Sequence, residues 1–229
     1  MAFCEQCGNK LNADVKFCSK CGVQVGGKKV QPAETVWSRQ DQPSIDVLIE
    51  DGRNYLDNGD INNALKQFEE AVRLYPDHAL GYAWRGEVYR NPIGQIDRAM
   101  RDFNEAIRID PNNSFAYVFR GATYQQQLSQ NDMAIKDFNE AIRVDPNNSL
   151  AYANRGQYYL NLGLYDVAKK DYDEAIRIDP NNAMMYAFLG AAYAQMGQTN
   201  LAIQNFEITL SINPNNDYAL KTLRAIRGY

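Results

Sequence analysis

The chain is poor in the residues that catalytic sites most often use. Its 229 residues include one histidine, His78, and no cysteine beyond residue 21. His78 follows Pro76 in a segment typical of a turn, and no Ser/His/Asp set, Cys/His pair or phosphate-binding glycine loop can be assembled around it. The sequence therefore predicts a protein that is not an enzyme.

Long apolar runs are also missing. No run approaches the length needed to cross a bilayer, and the N-terminus lacks a signal-peptide core. These absences predict a cytoplasmic protein with no membrane contact.

A basic surface is lacking over most of the chain. The first 40 residues carry a net charge of +3 and the whole chain −4, so the remaining residues carry −7. An acidic body lacks the basic stripe that phosphate contacts require, which makes nucleic acid an unlikely partner for it.

The chain contains instead a five-fold internal repeat with a period of 34 or 35 residues. Each copy has Gly-x-x-Tyr, then an alanine, an aromatic residue four positions later and a closing proline. Apolar residues within a copy lie three or four apart, which predicts two helices per copy. The repeated glycines are Gly52, Gly86, Gly121, Gly156 and Gly190, and the repeated aromatic residues are Phe68, Phe103, Phe138, Tyr172 and Phe206.

These columns resemble the tetratricopeptide repeat (TPR), a helix-turn-helix unit of about 34 residues. The resemblance implies an all-α fold, a right-handed superhelical solenoid of five repeats with a C-terminal capping helix. The predicted fold also includes a small N-terminal zinc-ribbon knuckle, which rests on the cysteines and not on the repeats. The predicted repeats are residues 45–78, 79–113, 114–148, 149–182 and 183–216, and the predicted capping helix is residues 217–229.

Aligning the repeats reveals a charge pattern. Repeats two, three and four have an arginine just before the glycine and an aspartate just before the aromatic residue. Repeats one and five have neither of these two residues. This covariation predicts three salt bridges that join the two helices of a repeat. The alternative is independently solvated charges. The predicted pairs are Arg85 with Asp102, Arg120 with Asp137, and Arg155 with Asp171.

Local signals mark the helix ends. Glycines in Asn58-Gly59, Asn161-Leu162-Gly163 and Met196-Gly197 predict turns between the two helices of repeats one, four and five. Ser114 and Ser149 are the predicted N-caps where a new repeat begins.

The four cysteines form two Cys-x-x-Cys pairs, Cys4/Cys7 and Cys18/Cys21. Two such turns can present four sulfurs to one ion, which predicts a structural Zn²⁺ site. Residues 1–25 resemble a short zinc ribbon. A redox dithiol or an iron site are the alternatives.

Residues 26–44 have no sustained periodicity and read as a flexible linker that contains Trp37. This tryptophan either packs on the first helix or docks elsewhere. Self-docking of the linker into the repeats is one possibility that the sequence leaves open.

TPR proteins bind other proteins on the concave side of the stack, so the resemblance implies an adaptor or scaffold. We expect an apolar peptide segment to bind there, anchored by Trp84, Phe119 and Phe188, with Asn154 hydrogen-bonding its backbone. Only Asn154 resembles a residue of the clamp with which some family members bind an acidic C-terminus. The predicted groove residues are Leu80, Trp84, Glu87, Phe115, Phe119, Asn154, Gln157, Met184 and Phe188.

Two alternatives remain at this stage. The groove aromatics either face a ligand or pack between neighbouring repeats, because large apolar residues are more often buried than exposed. The alternative function is that of a recruiter, in which the zinc ribbon contacts nucleic acid and the repeats bind partner proteins.

Overall fold

The structure is a computed structural model that describes residues 2–3, 10–11 and 42–228. The chain divides into two units, Met1–Pro43 and Ser44–Tyr229. In the first unit, strand β1 (Ala2–Phe3) pairs antiparallel with strand β2 (Lys10–Leu11). The predicted zinc ligands and Trp37 lie outside the described residues.

Regular structure in residues 42–228 is helical throughout. Ten helices form five pairs, one pair per sequence repeat, and an eleventh packs against the last pair. The helices are α1 (Ile45–Asp57), α2 (Ile61–Leu74), α3 (Ala79–Arg90), α4 (Ile96–Ile109), α5 (Ser114–Gln126), α6 (Asn131–Val144), α7 (Ser149–Asn161), α8 (Tyr165–Ile178), α9 (Ala183–Gln195), α10 (Thr199–Ile212) and α11 (Asp217–Arg227).

The repeated glycine and aromatic residue explain why the two helices of a repeat pair so closely. Phe138 of α6 is fully buried against α5, and a Cβ added to Gly121 would lie 2.8 Å from its ring. Only glycine leaves room for a ring at this distance. The same pair recurs in every repeat, but in α11 the position 34 residues after Gly190 is Arg224, which is exposed.

The N-caps lie one residue earlier than the sequence analysis predicted. Ser114 and Ser149 are the first residues of their helices, and the caps are Asn113 and Asn148. The Asn113 side chain accepts a hydrogen bond from the Ala116 amide at 2.9 Å, as an N-cap must. Ser114 instead accepts a 2.8 Å hydrogen bond from Asn148 Nδ2 and so connects successive inter-repeat turns.

The predicted glycine turns are confirmed. Gly59, Gly163 and Gly197 have φ between 71° and 74° and connect the helices of repeats one, four and five. In the longer third repeat, Ser129 takes this left-handed conformation with φ 53°.

All three predicted salt bridges are confirmed. Arg85, Arg120 and Arg155 each donate Nε and Nη2 to the two oxygens of their aspartate at 2.8–2.9 Å. These hydrogen bonds are the main cause that raises the pKa of Arg85 and of Arg155. The aspartates are buried, so they pair rather than remain solvated.

Two of these arginines also connect neighbouring repeats. Arg120 Nη1 donates to Asn104 in the preceding repeat, and Arg155 Nη1 donates to Asn139, both at 2.8 Å. The covariation found within a repeat therefore extends to a three-residue contact across the repeat boundary.

Helix contacts define an inner and an outer side of the stack. The first helices of successive repeats, such as α5 and α7, contact each other, whereas the second helices make no comparable contacts within residues 42–228. The first helices therefore form the inner surface. No helix in this part of the chain combines the length and apolar character that a bilayer span requires.

Candidate peptide-binding surface

The inner surface carries a row of large apolar side chains, one from each of repeats two to five and one from α11. The residue lies at the second position of each first helix, so that successive copies form a row along the stack. The side chains in repeats two to four are half-buried, whereas Met184 is 55% and Tyr218 is 51% exposed. The row consists of Leu80, Phe115, Leu150, Met184 and Tyr218.

The N-terminal part of the inner surface is filled by its own aromatic side chains. The Trp84 ring centroid lies 6.1 Å from that of Phe68, 5.7 Å from Phe115 and 5.2 Å from Phe119. The Arg53 guanidinium lies 5.1 Å from the Trp84 ring centroid, in cation–π geometry. These contacts leave Trp84 half-buried between three repeats.

Phe119 requires a correction. It was predicted to anchor a ligand, but it is 7% exposed and contacts Phe103 and Phe115 as well as Trp84. Its position on α5 faces repeat two, where Trp84 and Phe103 cover it together with Phe115 of its own helix. Phe119 therefore belongs to the core between repeats two and three.

Glu87 forms a buried ion pair with Arg90 that the sequence analysis did not predict. Arg90 donates Nε and Nη2 to the two Glu87 oxygens at 2.7 and 2.6 Å, and Nη1 to Gln126 at 3.0 Å. The two charged side chains are 9% and 15% exposed. Burial raises the pKa of Glu87, although the hydrogen bonds from Arg90 act in the opposite direction. Glu87 is therefore poorly placed to bind a ligand.

The C-terminal part of the inner surface differs in charge. Helix α9 contains no charged residue, and the only one in α7 is Arg155, which is paired with Asp171. The α9 side chains beside Phe188 are small, and Ala191 and Ala194 are only half-buried. A neutral, partly open surface thus runs along α7 and α9.

Two predicted polar groove residues lie beside this surface. Asn154 donates Nδ2 to the Leu150 carbonyl and Gln157 donates Nε2 to Asn161 Oδ1, both at 2.8 Å. The amide oxygens of Asn154 and Gln157 accept no hydrogen bond from residues 42–228. These oxygens remain available as acceptors.

Phe188 is half-buried and packs against Tyr172 of the preceding repeat, with 5.8 Å between ring centroids. Tyr172 is fully buried, and its hydroxyl has no hydrogen-bond partner in the described part of the chain. Burial raises the pKa of this phenol well above its ordinary value. The position is occupied by phenylalanine in the other four repeats.

The repeat geometry agrees with comparisons to protein families. Models described as tetratricopeptide repeat match residues 50–114, 149–182 and 184–216, and a model described as TPR repeat matches residues 126–163. The chain is a tetratricopeptide repeat protein. A search of curated protein sequences for relatives of this TPR protein found no match.

Several solved structures share the fold. TTC0263, a thermophilic TPR protein of Thermus thermophilus, matches with a TM-score of 0.68 and 18% identity over 81% of this chain and 100% of its own. PilW, a widely conserved type IV pilus biogenesis factor, matches with a TM-score of 0.64 and 19% identity over 80% of this chain and 86% of its own. YrrB, described as a TPR protein with an unusual peptide-binding site, matches with a TM-score of 0.51 and 21% identity over 78% of this chain and 91% of its own. At these identities the likeness establishes the fold alone.

Proposed function

We propose that this TPR protein is a non-enzymatic adaptor that binds an apolar peptide segment of a partner protein on the inner surface between α7 and α11. The observation that carries the proposal is the exposure of Met184 and Tyr218 beside two first helices whose inner sides carry no unpaired charge. Exposed apolar side chains clustered in this way are typical of protein-binding sites.

The proposed anchors are Met184, Phe188 and Tyr218, in place of the Trp84 and Phe119 expected from the sequence. The peptide backbone donates N–H groups to the amide oxygens of Asn154 and Gln157, which have no donor within residues 42–228. Specificity for apolar side chains follows, because a charged residue would lose its hydration against α9 without gaining a partner. YrrB, with its peptide-binding site, provides a precedent for this use of the fold.

Selection of a random-peptide phage library on the full chain tests this function. We expect the selected sequences to be apolar. The affinity of a selected peptide, measured by fluorescence anisotropy, should fall by about tenfold or more with Met184→Glu. Val47→Glu is the matched control, because Val47 is similarly exposed but lies on α1.

A second variant tests the location. Trp84→Phe keeps an aromatic ring in the N-terminal cluster and should leave the affinity unchanged. Predominantly charged peptides, or equal losses with Val47→Glu and Met184→Glu, would contradict the proposal.

We also propose that Cys4, Cys7, Cys18 and Cys21 bind one structural Zn²⁺. Support comes from the paired spacing and from β1 and β2, which flank Cys4 and Cys7 in the sequence and pair antiparallel. Four thiolates would close the ion's coordination, and metal binding would stabilise a segment too small to bury a core.

Metal analysis of the full chain tests the zinc proposal. We expect about one zinc per chain by mass spectrometry, lost in the Cys4→Ser/Cys18→Ser variant, with the helical circular dichroism preserved. Iron in place of zinc, or a large loss of helix in the variant, would contradict it. The alternative, nucleic-acid recruitment by this segment, has no support among the described residues, and salt-dependent binding to single-stranded or duplex nucleic acid would be its signature.

A further inference from the structure

Three exposed apolar side chains on the outer side of the stack share one position of the repeat. Met133, Val167 and Leu201 are the third residues of α6, α8 and α10, and they are 38–41% exposed. Repeats one and two have Asn63 and Arg98 at this position. The apolar character is therefore confined to repeats three to five.

The turns next to these helices repeat the pattern. Leu128 and Leu162 lie 34 residues apart, each between the two helices of its repeat, and are 38% and 51% exposed. We call Leu128, Met133, Leu162, Val167 and Leu201 together the outer strip. Scattered single apolar residues are normal on a protein surface, but a row at the spacing of the repeat indicates an interaction surface.

Charged residues beside the outer strip follow the same spacing. Asp132 and Asp166 lie in the first turns of α6 and α8, and Lys136 and Lys170 follow one turn later. All four are exposed, and none forms an ion pair with another residue in 42–228. Each of these two helices thus presents an acid near its N-terminus and a base one turn further on, on one side.

We propose that the outer strip binds the outer strip of a second copy of this chain. A two-fold axis places the second helices of the two copies antiparallel, so the Asp166 end of α8 in one copy faces Lys170 in the other. The charges are self-complementary in this arrangement and like-charged in a parallel one, and the apolar residues of the turns are covered at the same time.

Charge also explains the choice of partner. An anionic membrane would require a basic patch, whereas the acids and bases beside the strip balance. The proposal is independent of the peptide-binding function, because the strip lies on second helices and turns and leaves the inner surface free. A dimer would carry two peptide sites.

Sedimentation equilibrium of the full chain tests the proposal. We expect a monomer–dimer equilibrium in the wild type and a dissociation constant at least about tenfold higher in Leu162→Glu/Val167→Glu. Both residues are exposed, so the circular dichroism spectrum should not change. Asn63→Glu, at the same position in repeat one, is the control and should dimerise like the wild type.

Charge reversal separates this surface from any other contact. Asp166→Lys alone should weaken the dimer, because it brings lysines together, and Asp166→Lys/Lys170→Asp should restore it. A wild type that stays monomeric up to about 100 µM, or a dimer that both strip and charge variants leave unchanged, would overturn the proposal.

Discussion

Repeats three and five have the same packing of glycine against an aromatic ring, but they differ in which of the surrounding positions are charged and which are apolar. Repeat three joins its helices with the Arg120–Asp137 ion pair, where repeat five has Leu189 and Asn205. On the inner side, Phe115 of repeat three is half-buried, whereas Met184 at the same position of repeat five is exposed.

The outer side is also charged in repeat three and uncharged at the same positions in repeat five. Glu140 pairs with Arg143 at 2.7 Å in repeat three, and the corresponding positions of repeat five are Ile208 and Ser211. The comparison shows that the two helices pair through the same glycine and ring with or without the ion pair. The surrounding positions can therefore carry paired charges in one repeat and exposed apolar side chains in another.

Removing the ion pair from repeat three should have the largest effect on stability. Arg120→Leu leaves Asp137 buried without its cation and should lower the free energy of unfolding by about 3 kcal/mol, measured by urea denaturation of the full chain. The partner contact with Asn104 is lost as well.

The double variant Arg120→Leu/Asp137→Asn gives repeat three the pair found in repeat five. Asn205 donates Nδ2 to the Leu201 carbonyl of its own helix, and an asparagine at 137 can do the same. We expect the double variant to recover at least half of the loss. If it is less stable than Arg120→Leu, the two repeats are not interchangeable at this position.

The glycines should differ between the two repeats to a smaller extent. A Cβ on Gly121 would lie 2.8 Å from the Phe138 ring, and one on Gly190 would lie 3.1 Å from Phe206. Gly121→Ala should therefore cost about 1–3 kcal/mol, whereas in Gly190→Ala the gain in helix propensity offsets most of a milder clash. Thermal denaturation of the two variants measures the difference, and equal midpoints would show that both rings shift with equal ease.

Repeat four lies between them and provides the smallest expected effect. Tyr172→Phe removes a buried hydroxyl that has no partner in residues 42–228 and should raise the free energy of unfolding by about 1 kcal/mol. Phe138→Tyr in repeat three is the reverse control and should destabilise. A loss of stability in Tyr172→Phe would mean that the hydroxyl is satisfied in solution.

Most of the fold was accessible from the sequence because the repeat provides five aligned copies. The helix pairs, the glycine turns and the three Arg–Asp pairs all follow from residues that recur at fixed spacing. The caps were misplaced by one residue because Asn113 and Ser114 are both good capping residues, and only the hydrogen bond to Ala116 distinguishes them.

The candidate site was harder to predict from the sequence. Whether a ring such as Phe119 is exposed depends on the side chains that the preceding repeat and its own helix place against it, and the repeat pattern alone does not specify these. The contact of Arg90 with Gln126 joins side chains 36 residues apart and depends on their rotamers. The Glu87/Arg90 spacing of three residues could have indicated an ion pair there.

Arg224 limits where the stack can grow. In each pair of helices an aromatic ring of the second helix packs against the glycine of the first helix. Helix α11 has the charged Arg224 in place of that glycine. A helix packed on α11 as α10 packs on α9 would push its ring into the Arg224 side chain. A designer who wishes to lengthen this protein would therefore insert a copy between existing repeats, or first replace Arg224 with glycine.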